Sequence, residues 1–320
     1  MNILITGGAG FIGSKVLEQL INRGNTLYCV DNFNDYYDPA IKRRNIEALN
    51  NHLQFHLIEE DICDYDRLDP VFREGDIEVI VHLAARAGVR PSIENPLLYQ
   101  RTNNEGTQVI FELARKYGVK HVIAASSSSV YGNNDSVPFK ESDPVDCAIS
   151  PYAATKKANE VMGHVYHALY AINMVFLRFF TVFGPGQRPD LAIHKFTKMI
   201  DEDITIPFYG DGTSARDYTY IDDIVDGVLR AIDYSLNHTD VYEVINLGNS
   251  YPVTLSTMLN TIERVMGKKA TIDQQPMPPG DVDQTYADIS KAKRLLGYEP
   301  KTAFEEGIKT FIKRYKQSIL

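Results

Sequence analysis

The chain has 320 residues, 44% of them hydrophobic and 23% charged, with a formal net charge of -9. That balance predicts an ordinary globular protein of about two domains. The acidic surplus excludes a general nucleic-acid binder, which needs a basic face. No apolar run reaches membrane-spanning length, and Met1–Ile5 lacks the basic start and long apolar stretch of a signal peptide. Cys29, Cys63 and Cys147 share no metal-ligand spacing. We therefore expect a cytoplasmic protein with no nucleic-acid or membrane partner, no metal site, and three cysteines buried as small apolar residues.

In chain order, Ile3–Thr6 reads as a short strand running into Gly7-Gly8-Ala9-Gly10-Phe11-Ile12-Gly13. Glycines at 7, 10 and 13 bring backbone close to a bound group and open a helix, Ser14 to Asn22, whose positive end faces it. A strand before and a helix after make this a dinucleotide-binding pattern, with a purely structural βαβ turn as the alternative. The next strand, Thr26 to Val30, ends at Asp31. A carboxylate there suits the ribose hydroxyls of NAD and repels a 2′-phosphate. Asn32, Phe33 and Asn34 supply no cation to offset that repulsion, so NAD is expected over NADP.

The alternation continues. Leu53 to Ile58 reads as a strand ending near Asp61-Ile62, and Val79 to Leu83 as a buried strand ending at Ala84-Ala85. A helix follows over about 95–117, then strands at His121 to Ala125 and Met174 to Phe179. Such alternation predicts an α/β fold, a Rossmann-type doubly wound parallel sheet. Ligands in these sheets sit beyond the carboxyl ends of the strands. The glycine loop, Asp31, Asp61, Ala84, Ser126 and Thr181 all fall at such ends.

Between those last two strands lies Ser150-Pro151-Tyr152-Ala153-Ala154-Thr155-Lys156. Ser150 can cap a helix and Pro151 suits its first turn. Tyr152 and Lys156 then share a face, and an ammonium beside a phenol favours the phenolate. Alone, the pair is an ordinary surface coincidence; its place in the chain gives it weight. After Gly184-Pro185-Gly186 segments shorten and proline becomes frequent, as in the run from Gln275 to Asp281. We expect residues 1–182 to form the dinucleotide-binding domain and 183–320 a smaller mixed α/β substrate domain. The amphipathic segment 222–234 could pack back on the first.

These motifs, together with His82-Leu83-Ala84-Ala85, Asn103-x-x-Gly106-Thr107, Ser126-Ser127-Ser128-Ser129-Val130-Tyr131-Gly132 and Gly210-Asp211-Gly212-Thr213 with Arg216-Asp217-Tyr218, run nearly the length of the chain. In them the sequence resembles the NAD-dependent epimerase/dehydratase family, extended short-chain dehydrogenases/reductases acting on nucleotide sugars. The resemblance implies a tightly held NAD contacted by Gly7, Gly10, Phe11, Ile12, Gly13, Asp31, Asn32, Asp61, Ile62, Leu83, Ala84, Ala85, Asn103, Ser126, Phe179, Tyr152 and Lys156. It makes Tyr152 the catalytic base, with Lys156 lowering its pKa. Ser127 becomes the catalytic hydroxyl, with Ser126 and Ser128 as alternatives. It also implies a UDP-sugar substrate and a homodimer.

Family dehydratases and decarboxylases place acidic residues just before Val-Tyr-Gly, where this chain has Ser128 and Ser129, poor proton carriers. What remains resembles the 4-epimerases. The stretch Asp31 to Pro39 with Lys42 and Arg43, and Ala87-Gly88-Val89-Arg90, is similar to UDP-glucuronate 4-epimerases. Arg188 could hold a sugar carboxylate bidentately, or could instead be a loop arginine or a diphosphate ligand. With it, Arg90, Ser127, Ser128, Ser129, Thr181, Arg216 and Asp281 form the expected substrate set. Met277-Pro278-Pro279 stands where galactose epimerases carry an arginine, so that diphosphate contact is missing. The alternatives are a UDP-glucose/UDP-galactose 4-epimerase, a UDP-glucuronate decarboxylase, and a non-catalytic NAD-binding regulator.

Overall fold

The computed structural model describes residues 1–276 and 283–319. Its centre is a seven-stranded parallel sheet of β1 (Asn2–Thr6), β2 (Thr26–Val30), β3 (Phe55–Ile58), β4 (Val79–His82), β5 (His121–Ser127), β6 (Asn173–Phe179) and the later β10 (Tyr242–Leu247), in the order β10-β6-β5-β4-β1-β2-β3. The order reverses between β1 and β4, where ligands of doubly wound sheets bind. The inner strands are apolar on both faces because helices cover both. Ile3 and Ile5 face one side with α1 (Phe11–Asn22), while Leu4 faces the other. That second side is covered by α3 (Tyr65–Gly75), α6 (Gly106–Tyr117) and α7 (Pro151–Tyr170). A short α2 (Pro39–Ile46), capped by Asp38 with Pro39 in its first turn, lies between β2 and β3.

Local chemistry shifts some boundaries. Leu53 is 97% exposed and precedes the strand, which starts at Phe55. The single helix expected over 95–117 is three pieces, α5 (Pro96–Tyr99), a π-helical stretch (Gln100–Glu105) and α6, preceded by a separate α4 (Val89–Glu94). Pro96 cannot continue a helix from α4, and the wider π turns carry the chain on into α6. Only Cys29 is buried. Cys63 is half-buried and Cys147 exposed, correcting the expectation for those two.

Beyond β6 the chain crosses to smaller sheets. β7 (Thr181–Phe183) pairs with β9 (Ala215–Tyr220) and β9 with β11 (Pro252–Thr254), while β8 (Ile206–Tyr209) pairs with β12 (Ile272–Gln275). Around them lie α8 (Ala192–Asp201), α10 (Leu255–Met266) and α12 (Phe304–Ile319), while α11 (Ser290–Leu296) packs on β10. In between, α9 (Ile221–Asn237) packs against α1, β5 and β6, and β10 pairs with β6. The chain thus first leaves the main sheet after Phe179, before residue 183, and later returns to it. The apolar core is continuous from Ile3 through Phe183 and Tyr220 to Phe311. Among the described residues no helix is long and apolar enough to cross a membrane.

Candidate active site

Gly7 adopts φ +68°, and a Cβ there would lie 2.8 Å from the backbone of Ala84. A Cβ on Gly13 would lie 2.3 Å from the Gly7 carbonyl oxygen. The loop therefore sits flush between β4 and α1, which only glycine permits. No side chain caps α1. Its first-turn N–H groups and positive end face a cavity of about 480 Å³ lined by Gly7, Gly10, Phe11, Ile12 and Gly13. This cradle fits a dinucleotide's diphosphate.

At the cavity's far side Asp31 is buried, its Oδ1 accepting from Phe33 N at 3.0 Å and from Lys42 Nζ at 3.2 Å. Asn32, Phe33 and Asn34 bring no cation to Asp31, but α2 brings Lys42, also buried. Asn32 lines the cavity and donates to Asp61 Oδ2 at 2.8 Å. Burial raises the Asp61 pKa, but hydrogen bonds from Cys63 and Asn32 and the charge of Arg101 outweigh it, leaving the carboxyl below its ordinary value. Asp61 does not itself line the cavity; it holds Asn32. Ile62, Leu83, Ala84, Ala85 and Phe179 do line it.

Asn103 stands elsewhere than expected. It is fully buried, takes the Arg86 N–H at 2.8 Å on Oδ1, and donates from Nδ2 to Arg86 O and Thr155 Oγ1, each at 3.0 Å. It clamps the loop after β4 rather than touching the cavity. His82, bridged between Thr6 and Thr107 at 2.7 and 2.9 Å, is pushed down to about 3 by burial and the charge of Lys156, so it is neutral and structural.

The serine run resolves by strand alternation. Ser126 Oγ donates to Glu160 Oε1 at 2.7 Å, so its hydroxyl is committed to a buried carboxylate. Ser127 turns the other way, and its Oγ accepts from Ser129 N at 3.1 Å while lining the cavity with Ser128 and Ser129. Ser150 caps α7, accepting from Ala153 N at 3.1 Å, and sets Tyr152 and Lys156 on the cavity side. Lys156 Nζ donates to Ala125 O at 2.8 Å. Burial pushes this lysine down to about 8, with Glu160 offsetting part of the shift. Tyr152 is held above its ordinary value by burial, against the lowering effects of a Ser127 hydrogen bond and the Arg188 charge. Ser127 and Arg188 thus favour its phenolate.

Behind this cluster lies a network that the sequence analysis did not single out. Arg178 Nε and Nη2 donate to the two oxygens of Glu160, each at 2.8 Å, and Nη1 donates to Tyr131 Oη at 2.9 Å. Tyr131 in turn donates to Asn246 Oδ1 at 2.7 Å. The signal was an arginine within the apolar strand Asn173–Phe179 and a glutamate one turn after Lys156, since buried charges come paired.

The substrate-side residues divide. Thr181 and Arg188 line the main cavity. Arg188 also donates from Nε and Nη2 to the two oxygens of Asp190, both at 2.9 Å, and its guanidinium lies 5.3 Å from the Tyr36 ring centroid. Arg90 and Arg216 line an adjoining recess of about 160 Å³ that shares Val89, Ser128, Ser129 and Thr181 with the main cavity. Arg90 lies 5.3 Å from the Tyr209 ring centroid. Asp281 falls outside the described residues. Tyr36 and Tyr37 also line the cavity and were not foreseen as site residues; a tyrosine pair in a loop carries no signal of its own.

A glycine-cradled dinucleotide pocket, a Ser–Tyr–Lys cluster at strand ends and a cationic recess beside it define the extended short-chain dehydrogenase/reductase class. Residues 4–311 match the family model described as GDP-mannose 4,6 dehydratase, and the chain belongs to this NAD-dependent epimerase/dehydratase family. It is 43% identical over 317 residues to the UDP-glucuronate 4-epimerase of Thermodesulfobacterium geofontis, covering 99% of this chain and 96% of that protein. The Bacillus cereus UDP-glucuronic acid 4-epimerase, solved with UDP-glucuronic acid and NAD, superposes with a TM-score of 0.92 at 37% identity, covering 99% of this chain and 100% of that one. The Thermotoga maritima UDP-glucose 4-epimerase, solved with UDP-glucose, superposes at 0.91 with 32% identity, covering 100% of both chains.

Proposed function

We propose that the protein is a nucleotide-sugar 4-epimerase that interconverts UDP-glucuronate and UDP-galacturonate with a tightly bound NAD. The observation that carries this reading is the set of groups beside Tyr152. Ser128, Ser129 and Thr181 offer hydroxyls and Arg188 a cation, with no second acid or base among them. Dehydration and assisted decarboxylation both need such a group. Epimerisation at C4 needs only one base and a reversible hydride acceptor, which is the chemistry NAD supplies when bound.

Gly7, Gly10 and the start of α1 hold the diphosphate of that cofactor, and Asp31 with Lys42 and Asn32 its adenosine ribose. Tyr152 accepts the proton of the sugar 4-hydroxyl and returns it to the same oxygen once the configuration at C4 has inverted. Ser127 holds the same oxygen by hydrogen bond, keeping C4 in line while its configuration changes. Lys156, anchored on Ala125, orients the cofactor's ribose beside Tyr152. Arg90 and Arg216 hold the substrate diphosphate, about which the 4-keto sugar turns. A 4-keto group is β to the C6 carboxylate, so carbon dioxide is lost if the C5–C6 bond stands perpendicular to the carbonyl plane. Arg188, Thr181, Ser128 and Ser129 keep the carboxylate out of that orientation.

The division into an NAD-binding unit (1–182) and a substrate unit (183–320) is retained with one amendment: 221–247 belongs with the first. A homodimer is supported by an apolar stripe of exposed side chains, Leu97 on α5 with Val161, Val165 and Leu169 at four-residue spacing on α7. The reading places the enzyme in the cytoplasm.

The test is to incubate the purified protein with UDP-glucuronate, adding no NAD, and follow products by NMR. UDP-galacturonate is expected, and Arg188→His should weaken binding and divert part of the flux to UDP-pentose. Turnover of UDP-glucose in preference to UDP-glucuronate would favour the neutral-sugar epimerase instead, and an Arg188→His variant with unchanged affinity and products would remove the carboxylate role.

A further inference from the structure

The guanidinium assigned above to the substrate carboxylate already has a carboxylate. Asp190, two residues on in the same loop, takes Nε and Nη2 of Arg188 in a fork of two 2.9 Å bonds. The two partners are unequal. The Arg188 side chain is 21% exposed and packed beside the Tyr36 ring, whereas that of Asp190 is 44% exposed and reaches water. Arg188 lines the main cavity and Asp190 does not. An entering anion therefore meets the cavity-lining cation first, and Asp190 is the member that can swing into solvent at small desolvation cost. A neutral sugar has nothing to exchange for the pair and leaves it intact.

Resting on the uronate reading above, we propose that Asp190 is a specificity-determining residue: an internal counter-ion that occupies Arg188 in the resting site and is displaced by the C6 carboxylate of a hexuronate. Its consequence is a built-in competition. Each uronate bound requires one ion pair to open and one to form, so the affinity gained from the sugar carboxylate is the difference between two similar pairs. The arrangement also holds Arg188 extended toward the cavity before substrate arrives, which reduces the ordering cost of binding.

The experiment measures Kd by calorimetry for UDP-glucuronate, UDP-glucose and UDP on the NAD-containing protein and its variants, with thermal melts to confirm folding. Asp190→Asn should tighten UDP-glucuronate about three- to fivefold, the scale of one partly exposed ion pair removed from competition. It should leave UDP-glucose and UDP unchanged. Asp190→Glu, which keeps the charge, should bind UDP-glucuronate as the parent does. In an Arg188→Met background, Asp190→Asn should have no effect on any of the three. Weaker UDP-glucuronate binding by Asp190→Asn would overturn the proposal and make Asp190 a support that positions Arg188. So would equal tightening of all three ligands, or no change. These Kd contrasts are read without turnover, so they are distinct from the NMR product assay that tests the 4-epimerase reading itself.

Discussion

Lys156 sits where its charge is least comfortable, buried on α7 with a backbone carbonyl and Glu160 as its nearest compensation. Its pKa falls from 10.5 to about 8, so between those values the unfolded chain binds a proton that the native protein does not. The contribution of this group to stability rises with pH through that interval, because unfolding takes up a proton that becomes scarcer; Cys29 and Cys63, raised by burial, contribute in the opposite sense. Urea unfolding at pH 7.5 to 10.5 should therefore give a midpoint that gains less, or falls more steeply, with pH in Lys156→Met than in the parent. Equal slopes would mean that the lysine titrates normally in the folded protein. At the same scale, Tyr152 is not an acidic phenol here. Burial dominates, and Ser127 and Arg188 only soften it. The pairing of Tyr152 with Lys156 was legible from spacing together with its place in the chain, and Ser127 from the resemblance, but the effect of Arg188 on the phenol was not, because Arg188 comes from a loop after β7.

The element that organises the site is α7 against β5 and β6. Lys156 and Glu160 fall on successive turns of one face. Glu160 binds Ser126 from β5 and Arg178 from β6, so one carboxylate ties together the helix bearing the base and the strand ends bearing Ala125 and Ser127. Removing one member leaves an uncompensated buried charge, at a cost of about 3–5 kcal/mol. Glu160→Gln should lower the unfolding free energy by that order, and the Glu160→Gln, Arg178→Met double variant should lose less than the sum of the two singles. A strictly additive pair, measured by chemical denaturation, would show that the ion pair does not act as a unit. This network was readable only in outline: an arginine in an apolar strand announces a partner, but which partner depends on sheet order. The π-helical stretch Gln100–Glu105 was not readable at all, since its residues are polar throughout and offer no apolar period from which the turn width could be told.

For the molecule as a whole, the alternation of short apolar strands with amphipathic helices was enough to predict the parallel sheet and to place the glycine loop, Asp31 and Thr181 at strand ends. It did not reveal that α9 and β10 return to the main sheet after β7 and β9 have left it. Contiguous stretches of sequence carry no record of such a return, and only the apolar face of 222–234 hinted at it. Asn103 shows a similar limit, for its hydrogen bonds to the loop after β4 could not be read from the Asn-x-x-Gly-Thr spacing. The exposed apolar stripe on α5 and α7 belongs to this scale. Val165→Glu should shift the protein from dimer to monomer in size-exclusion chromatography with light scattering while leaving its circular dichroism unchanged. A parent that already runs as a monomer would refute the dimer.

The central claim is that a hydride leaves C4 and returns to the same carbon while Tyr152 and Ser127 keep hold of its oxygen. The most direct measurement uses UDP-glucuronate carrying deuterium at C4, incubated in ordinary water with no added NAD and followed by NMR. The account predicts UDP-galacturonate that retains the deuterium at C4. Hydrogen from solvent at C4, or a UDP-pentose as the main product, would contradict it.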